Sequence, residues 1–169
     1  MMAPLAAVLA SVASVSGTPG RHVQTMSAGL RLGVPVATLS IPRLHFDETV
    51  HQGVAASVLA LGPGHYPSTA LPGQAGTTAF AGHRVTHTHP FLNINLLRRG
   101  DVITVHTRWG RFRYKVYRER IVSPTDVGIL NNLGYQQLVL TACHPPHTAL
   151  KRYVVFARRI VGHQGSRSS

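Results

Sequence analysis

The segment "QQLVLTACHPPHTALKRYVVFARRIV", from Gln136 to Val161, contains two runs rich in Val, Leu and aromatic residues, separated by a polar stretch. Residues of these types favour β-strands because they pack well on a pleated, half-buried surface. If the two strands are neighbours, the loop between them returns the chain. The end of the first strand, Cys143, then meets the start of the second, Arg152. The segment therefore predicts a thiol and a guanidinium together at one end of a β-sheet.

Cys143 is the single cysteine of the 169-residue chain. One cysteine excludes an internal disulfide and any zinc site built from several cysteines. The residue can still be a small buried side chain, a metal ligand shared with other residue types, or a nucleophile. Its position at the end of an apolar strand leaves these alternatives open.

Further strands are predicted on both sides of the chain's centre. The run "VATLSIP" from Val36 to Pro42 alternates apolar with small or polar residues and stops at a proline. The runs "DVITVHT" and "RFRYKVYRERIV" form a predicted hairpin whose turn is at Arg108, Trp109 and Gly110. Many short strands with few helices indicate an all-β fold, either a closed barrel or a sandwich.

Two short helices are expected between these strands. The first lies in "THPFLNINLLRRG", where Phe91, Ile94 and Leu97 recur at roughly helical spacing before two arginines and a glycine. The second lies in "TDVGILNN", where Thr125 or Asp126 can cap the first turn.

The chain divides into three parts by composition. Residues 1–34 form an apolar leader or anchor remnant followed by a linker, residues 35–162 a single domain, and residues 163–169 a polar tail with the composition of disorder. The apolar run from Leu5 to Val15 is shorter than the roughly 18 residues of a membrane-spanning helix. From this run we expect export, with membrane anchoring through the N-terminus.

The charge of the chain restricts its chemistry. Seventeen Lys and Arg against five Asp and Glu give a net charge of +12, which favours polyanionic partners. The five acids are scattered, so neither a paired-carboxylate glycosidase nor a calcium site is expected. Phe112 and Tyr114 alternate with Arg111, Arg113 and Lys115, which favours the two faces of one strand over a nucleic-acid stacking surface.

A histidine completes a candidate catalytic set. His83 ends the short strand "TTAFAGHR", after Ala81 and Gly82, whose small side chains are expected to leave room for a ligand. A thiolate at Cys143 can attack a peptide carbonyl, a histidine can protonate the leaving amine, and the guanidinium of Arg152 can stabilise the oxyanion. A Ser-His-Asp type triad would require an orienting carboxylate, and no acid is placed to supply one.

Three blocks of this chain, spanning about Val36 to Val161, resemble sortases, the cysteine transpeptidases of bacterial surfaces. They are "GPGHYPSTALPGQAGTTAFAGHR", "PFLNINLLRRGDVITVHT" and "VLTACHP" with "RYVVFA", and they agree with the family in order and spacing. The resemblance implies a closed eight-stranded β-barrel, with Cys143 as nucleophile, His83 as general acid and Arg152 as the stabiliser of oxyanion or substrate carbonyls. It implies no metal and no cofactor.

The resemblance also implies partners and a location. The substrate would be a C-terminal sorting signal of a surface protein, cleaved between Thr and Gly through a thioacyl-enzyme. The acceptor would be an amine of peptidoglycan or of a pilin, and the enzyme would act outside the cytoplasm at the bacterial surface. No nucleic acid is expected as a partner.

The family signature Thr-Leu-x-Thr-Cys stands here as Val139 to Cys143, so both signature threonines are replaced. Thr141 and Ala142 are the positions that the resemblance places near bound substrate. The segments "HYPSTALPG" and "CHPP" look most like class E, with class D as the alternative. Class E implies a Leu-Ala-x-Thr-Gly signal in place of Leu-Pro-x-Thr-Gly.

Three alternatives to a sortase stay open at this stage. One is another exported cysteine enzyme, although an L,D-transpeptidase would carry a Ser-x-Gly-Cys block and a cell-wall endopeptidase would place Cys before His. Another is a basic domain that binds polyanions, with Cys143 merely buried. The third is a zinc hydrolase, for which the chain offers a group of histidines: His83, His87, His89, His144 and His147.

Overall fold

The structure is a computed structural model that describes residues 29–161 of the chain. The expected leader lies mostly outside these residues, and the expected tail at 163–169 lies wholly outside them. No helix within residues 29–161 has the length and apolar character to cross a membrane.

Within residues 29–161, the fold consists of eight strands, one short α-helix and three 3-10 helices. The strands and the α-helix are β1 (Pro35–Ile41), β2 (Phe46–Gln52), α1 (Ala56–Leu59), β3 (Gly64–His65), β4 (Thr77–Gly82), β5 (Val102–Thr107), β6 (Gly110–Val122), β7 (Gln137–His144) and β8 (Lys151–Arg159). The 3-10 helices are Pro42–Leu44, Ile94–Leu96 and Val127–Leu130.

The strands close into a barrel in the order β1-β2-β3-β4-β7-β8-β6-β5, with β5 pairing back onto β1. This confirms the closed eight-stranded all-β barrel. The pairs β2–β3 and β4–β7 are parallel, and the other neighbours are antiparallel. Because β4 and β7 run in the same direction, their last residues meet at one end of the barrel, where β8 begins.

Alternation along the strands separates an interior core from a second apolar cluster on the outer face. On β4 and β7, Phe80 and Leu140 belong to the interior cluster, whereas Ala79 and Val139 belong to the outer one. Successive side chains of a strand point to opposite faces, so the residues of one strand supply both clusters. The outer cluster is covered by the 3-10 helix Val127–Leu130 and by Tyr66.

The β5–β6 hairpin forms where the sequence predicts it, with Arg108 and Trp109 as its two-residue loop. Gly110 follows with φ +141°, a backbone conformation that favours glycine. Along the first half of β6, Tyr114 is buried, whereas Arg113 is exposed, as are the other basic residues of its face. The prediction of one apolar and one charged face is therefore confirmed for this part of the strand.

The helix predicted within residues 88–100 is not formed as expected. This segment contains turns and the short 3-10 helix Ile94–Leu96. Phe91, Ile94 and Leu97 are all buried and are spaced by three residues, which is the repeat of a 3-10 helix and not of an α-helix. The hydrogen bonds join residues three apart, as in Leu97 N to Ile94 O at 3.3 Å.

The second expected helix is a 3-10 helix at Val127–Leu130. Its cap is Asp126, whose carboxylate accepts a hydrogen bond from the backbone N–H of Gly128 at 3.1 Å. Four elements were not expected from the sequence: the strands β2 and β3, the helix α1 and the 3-10 helix Pro42–Leu44. The residues "FDETVHQ" of β2 are mostly polar and only partly buried, so their apolar signal is weak.

Candidate active site

The antiparallel pairing of β7 with β8 places Cys143 directly opposite Arg152. Directly opposed residues of two strands share a face of the sheet. By alternation from Val139 and Val154, that face is the outer one. Nη1 of Arg152 donates hydrogen bonds to the backbone carbonyls of Ala149 and Lys151, both at 3.2 Å. These bonds hold the guanidinium against the loop between the two strands, and the register places Arg152 opposite Cys143.

His83 follows the last residue of β4, and β4 is the parallel neighbour of β7. The last registered pair is Gly82 with Ala142, so His83 and Cys143 are the next residues of the two strands. The carbonyl oxygen of His83 accepts a hydrogen bond from the N–H of Phe91 at 2.9 Å, which closes the following loop. The three predicted residues thus come from three adjacent strands at one end of the barrel.

Gly82 has a different role from the one expected. A methyl group at this position would lie 2.6 Å from the ring of Phe91. The space beside the glycine is therefore filled by Phe91, a core residue, and is not room for a ligand. Glycine is needed here because the aromatic ring packs directly on the end of β4.

A cavity of about 360 Å³ lies between the ends of β4 and β7 and the loop that follows β7. His83 and Cys143 both line it. The remaining lining residues are Arg84, Val85, Thr86, His147, Thr148 and Ala149. A cavity bordered by a thiol and an imidazole can hold a peptide carbonyl against the nucleophile, with a proton donor nearby.

The two expected substrate contacts face opposite ways. Thr141 is on the outer face, two residues before Cys143, and its hydroxyl is hydrogen-bonded to that of Tyr66 at 3.0 Å. Ala142 is 2 % exposed and belongs to the interior cluster. Its methyl group therefore packs in the barrel and does not reach the face that carries Cys143, which corrects the expectation that this side chain contacts substrate.

Arg84 was not anticipated by the sequence reasoning, yet it connects the His83 loop to the Cys143 strand. Its side chain is buried, and Nε donates to the carbonyl of Leu92 at 3.3 Å. Nη2 donates to Oδ1 of Asn95 at 2.6 Å, and Nη1 donates to Nδ1 of His144 at 3.2 Å. The guanidinium also lies 5.9 Å from the ring centre of Tyr153. In the sequence, Arg84 directly follows His83, but in so basic a chain it resembles any other solvent-exposed arginine.

The surroundings of His83 disfavour its charged form. Burial, followed by the positive charge of His87, lowers the pKa of His83 from its ordinary value. The two rings are stacked with their centres 4.9 Å apart. Nε2 of His83 is buried and has no hydrogen-bond partner within residues 29–161. An imidazole with a lowered pKa gives up its proton more readily, which suits an acid that must protonate a leaving amine.

The other histidines of the zinc alternative do not converge with His83 into a ligand set. His87 stacks on His83, and Nδ1 of His144 accepts from Arg84. Across the described part of the chain, no group of three or more His, Cys, Asp or Glu side chains has the arrangement of a metal site.

The fold agrees with the comparisons to known proteins. The sortase domain family matches residues 39–160. The chain belongs to the sortase family. It is 29% identical to Sortase D of Bacillus subtilis (strain 168) over 126 residues, which are 72% of this chain and 62% of that protein.

Two sortases from Streptomyces are also similar to this chain. The chain is 34% identical to Sortase SrtE1 of Streptomyces coelicolor over 144 residues, which are 76% of this chain and 41% of that protein. The structure of sortase E from Streptomyces avermitilis superposes with a TM-score of 0.70 at 32% identity, covering 78% of this chain and 91% of that one. The chain thus spans about three fifths or less of the two full-length relatives.

Proposed function

We propose that this protein is a cysteine transpeptidase that cleaves a C-terminal sorting signal between Thr and Gly and transfers the surface protein to an amine. The observation that carries the proposal is the meeting of Cys143, His83 and Arg152 at the ends of three adjacent strands. Family membership supports the reaction type, and the cavity that His83 and Cys143 share supports a peptide as substrate.

In the proposed reaction, the thiolate of Cys143 attacks the carbonyl carbon of the substrate threonine. The guanidinium of Arg152 stabilises the resulting oxyanion, and the imidazolium of His83 gives its proton to the leaving glycine amine. The C–N bond breaks and a thioester to Cys143 remains. An acceptor amine then attacks the thioester and passes a proton to His83, which forms the new amide and restores the thiolate.

The outer face of β7 and β8 is the proposed binding surface for the sorting signal. Val139 and Phe156 on this face are buried under Tyr66 and the 3-10 helix Val127–Leu130. The peptide is therefore proposed to lie on the part of the face nearest Cys143, with its Thr-Gly bond at the thiol. The Tyr66–Thr141 hydrogen bond crosses this surface. Tyr66 and Thr141 are therefore the proposed contacts for the residues that precede the cleaved bond.

The resemblance to class E favours a Leu-Ala-x-Thr-Gly signal over Leu-Pro-x-Thr-Gly. The relatives bear the names of both class D and class E. The proposed acceptor is an amine of peptidoglycan or of a pilin, and the proposed location is the bacterial cell surface, with the N-terminal segment as membrane anchor.

Mass spectrometry of the protein with peptides of both signal types and a triglycine acceptor tests the proposal. We expect an acyl-enzyme adduct on Cys143 and a transfer product with triglycine. The Cys143→Ala variant should give neither, while its far-UV circular dichroism stays unchanged because alanine fits a strand end. Turnover of both peptides at wild-type rates by Cys143→Ala would exclude a thiol mechanism.

A further inference from the structure

The end of the barrel opposite the catalytic residues carries an exposed aromatic residue beside several arginines. Trp109, in the β5–β6 loop, is 50% exposed, and the guanidinium of Arg108 stacks on its ring at 4.4 Å. Leu30, which is 37% exposed, lines a cavity of about 510 Å³ together with Trp109. Arg111 and Arg113 project from the adjoining outer face of β6. We call these five residues the hairpin face.

The charge around the hairpin face is uncompensated. Between Asp101 and Glu119 the sequence contains five basic residues and no acidic residue. Further along the same outer face, Lys115 stands directly opposite Arg158, and both are exposed. Like charges in directly opposed positions destabilise a sheet, so a bound anionic surface would relieve a repulsion that the fold otherwise retains.

The hairpin face and the catalytic residues lie at opposite ends of β6. This strand begins at Gly110, beside Trp109, and ends at Val122, which is the partner of Arg152. Twelve residue steps of β-strand span roughly 40 Å. A surface that contacts the hairpin face therefore leaves the Cys143 cavity open on the far side.

The chain also enters the barrel at this end. Leu30 and Pro35, the first residue of β1, border the same cavity as Trp109. In the sequence, the apolar run from Leu5 to Val15 precedes Leu30 by about fifteen residues. A membrane attachment through that run would therefore tether the chain at the end of the barrel that carries the hairpin face.

From these observations we infer that the hairpin face is a peripheral membrane-contact surface that binds anionic phospholipid headgroups. Tryptophan is enriched at the membrane–water interface because its ring is apolar and its N–H is polar. Basic side chains next to it are attracted to a negatively charged leaflet. An anionic bilayer can bind both the tryptophan ring and the basic side chains, whereas a soluble polyanion interacts only with the basic side chains. The inference does not depend on the proposed catalytic activity.

Trp109 is the single tryptophan of the chain, so its fluorescence reports this site without labelling. The test titrates the full chain with vesicles of equimolar phosphatidylglycerol and phosphatidylcholine, and with pure phosphatidylcholine vesicles. We expect a blue shift of the emission, and quenching by brominated lipid, on the anionic vesicles. The shift should decrease as salt is raised, because the attraction is electrostatic.

Two double variants distinguish binding through the hairpin face from a general effect of the protein's positive charge. Arg111→Gln with Arg113→Gln should weaken binding to anionic vesicles by roughly tenfold or more. Arg98→Gln with Arg99→Gln removes the same charge from exposed positions outside the hairpin face and should have little effect. Both double variants should turn over a soluble peptide at the wild-type rate.

Three outcomes would overturn the inference. The first is sedimentation of the full chain with vesicles while the Trp109 emission is unchanged, which would assign the contact to another part of the chain. The second is an equal emission shift with soluble polyphosphate or DNA, which would identify a general polyanion site. The third is an absence of binding to anionic vesicles at low salt.

Discussion

Replacing Arg84 by methionine should destabilise the fold substantially and slow acylation of Cys143. Methionine keeps much of the length of the side chain but removes the guanidinium. The carbonyl of Leu92 and the amide of Asn95 then lose a charged donor, as does the ring of His144. These three partners lie on the loop after His83 and on the strand that carries Cys143, so the substitution loosens the connection between the two.

The expected change in the free energy of unfolding follows from two opposing effects. A hydrogen bond to a charged group contributes about 1.5–3 kcal/mol, and three such bonds lost together would exceed 4 kcal/mol if they were additive. Burying a cation without a carboxylate partner costs several kcal/mol, and the substitution recovers part of this cost. We therefore expect the free energy of unfolding to fall by about 2–4 kcal/mol. A small displacement of the His83 loop can reduce turnover by up to about a hundredfold.

Urea unfolding followed by far-UV circular dichroism measures the first effect, and acyl-enzyme formation measures the second. Arg43→Met is a matched control, because Arg43 also donates to a carbonyl of the same segment, that of Leu96, at 3.2 Å. Its side chain is 40% exposed and pairs with Asp101 at 3.1 Å, so its removal should cost less than about 1 kcal/mol. Equal unfolding midpoints for the two variants would refute the reasoning.

Four further predictions concern the proposed catalytic residues, the neighbour of His83 and the buried histidine. Arg152→Lys should lower turnover by about a hundredfold, because an ammonium lacks the paired donors of a guanidinium, whereas Lys151→Ala should keep turnover near wild type. His83→Ala should slow acylation by roughly a hundred- to ten-thousandfold. His87→Gln removes one cause of the lowered pKa of His83, so the alkaline limb of the turnover profile, where the acid loses its proton, should move to higher pH. Burial lowers the pKa of His65 from 6.5 to about 4. The neutral, buried imidazole therefore contributes fully to the free energy of unfolding above pH 6.5, and this contribution declines as the pH falls to about 4. Urea midpoints should record a loss of up to about 3 kcal/mol across that window, and His65→Gln should remove most of this dependence.

The strands that carry Cys143 and Arg152 could be predicted because their residues are strongly β-favouring and uninterrupted. The same holds for the β5–β6 hairpin, whose alternation of apolar and basic residues matches the two faces of β6. In both cases the signal is local, since strand period and turn residues are read within about a dozen positions.

The remaining features depend on contacts that are distant in sequence. The structural role of Arg84 depends on its hydrogen bond to His144, which is sixty positions away in the sequence. The inward position of Ala142 depends on the register of β7 with its neighbours. A one-residue change of register exchanges the two faces of a strand, so no inspection of residues 139–143 alone could assign the side chains that border the substrate.

The parallel pairing of β4 with β7 has a consequence for when the proposed active site forms. Gln137 and Thr77, which open this pairing, are sixty positions apart in sequence and are joined by a side-chain hydrogen bond of 3.1 Å. Contacts of such separation form slowly, because the loop between them must first lose its conformational freedom. His83 and Cys143 therefore come together only when β4 and β7 have paired, which closes the long segment that contains the β5–β6 hairpin. A nascent or partly unfolded chain would carry its thiol without the imidazole beside it, so the proposed peptide cleavage would begin only once the barrel is complete.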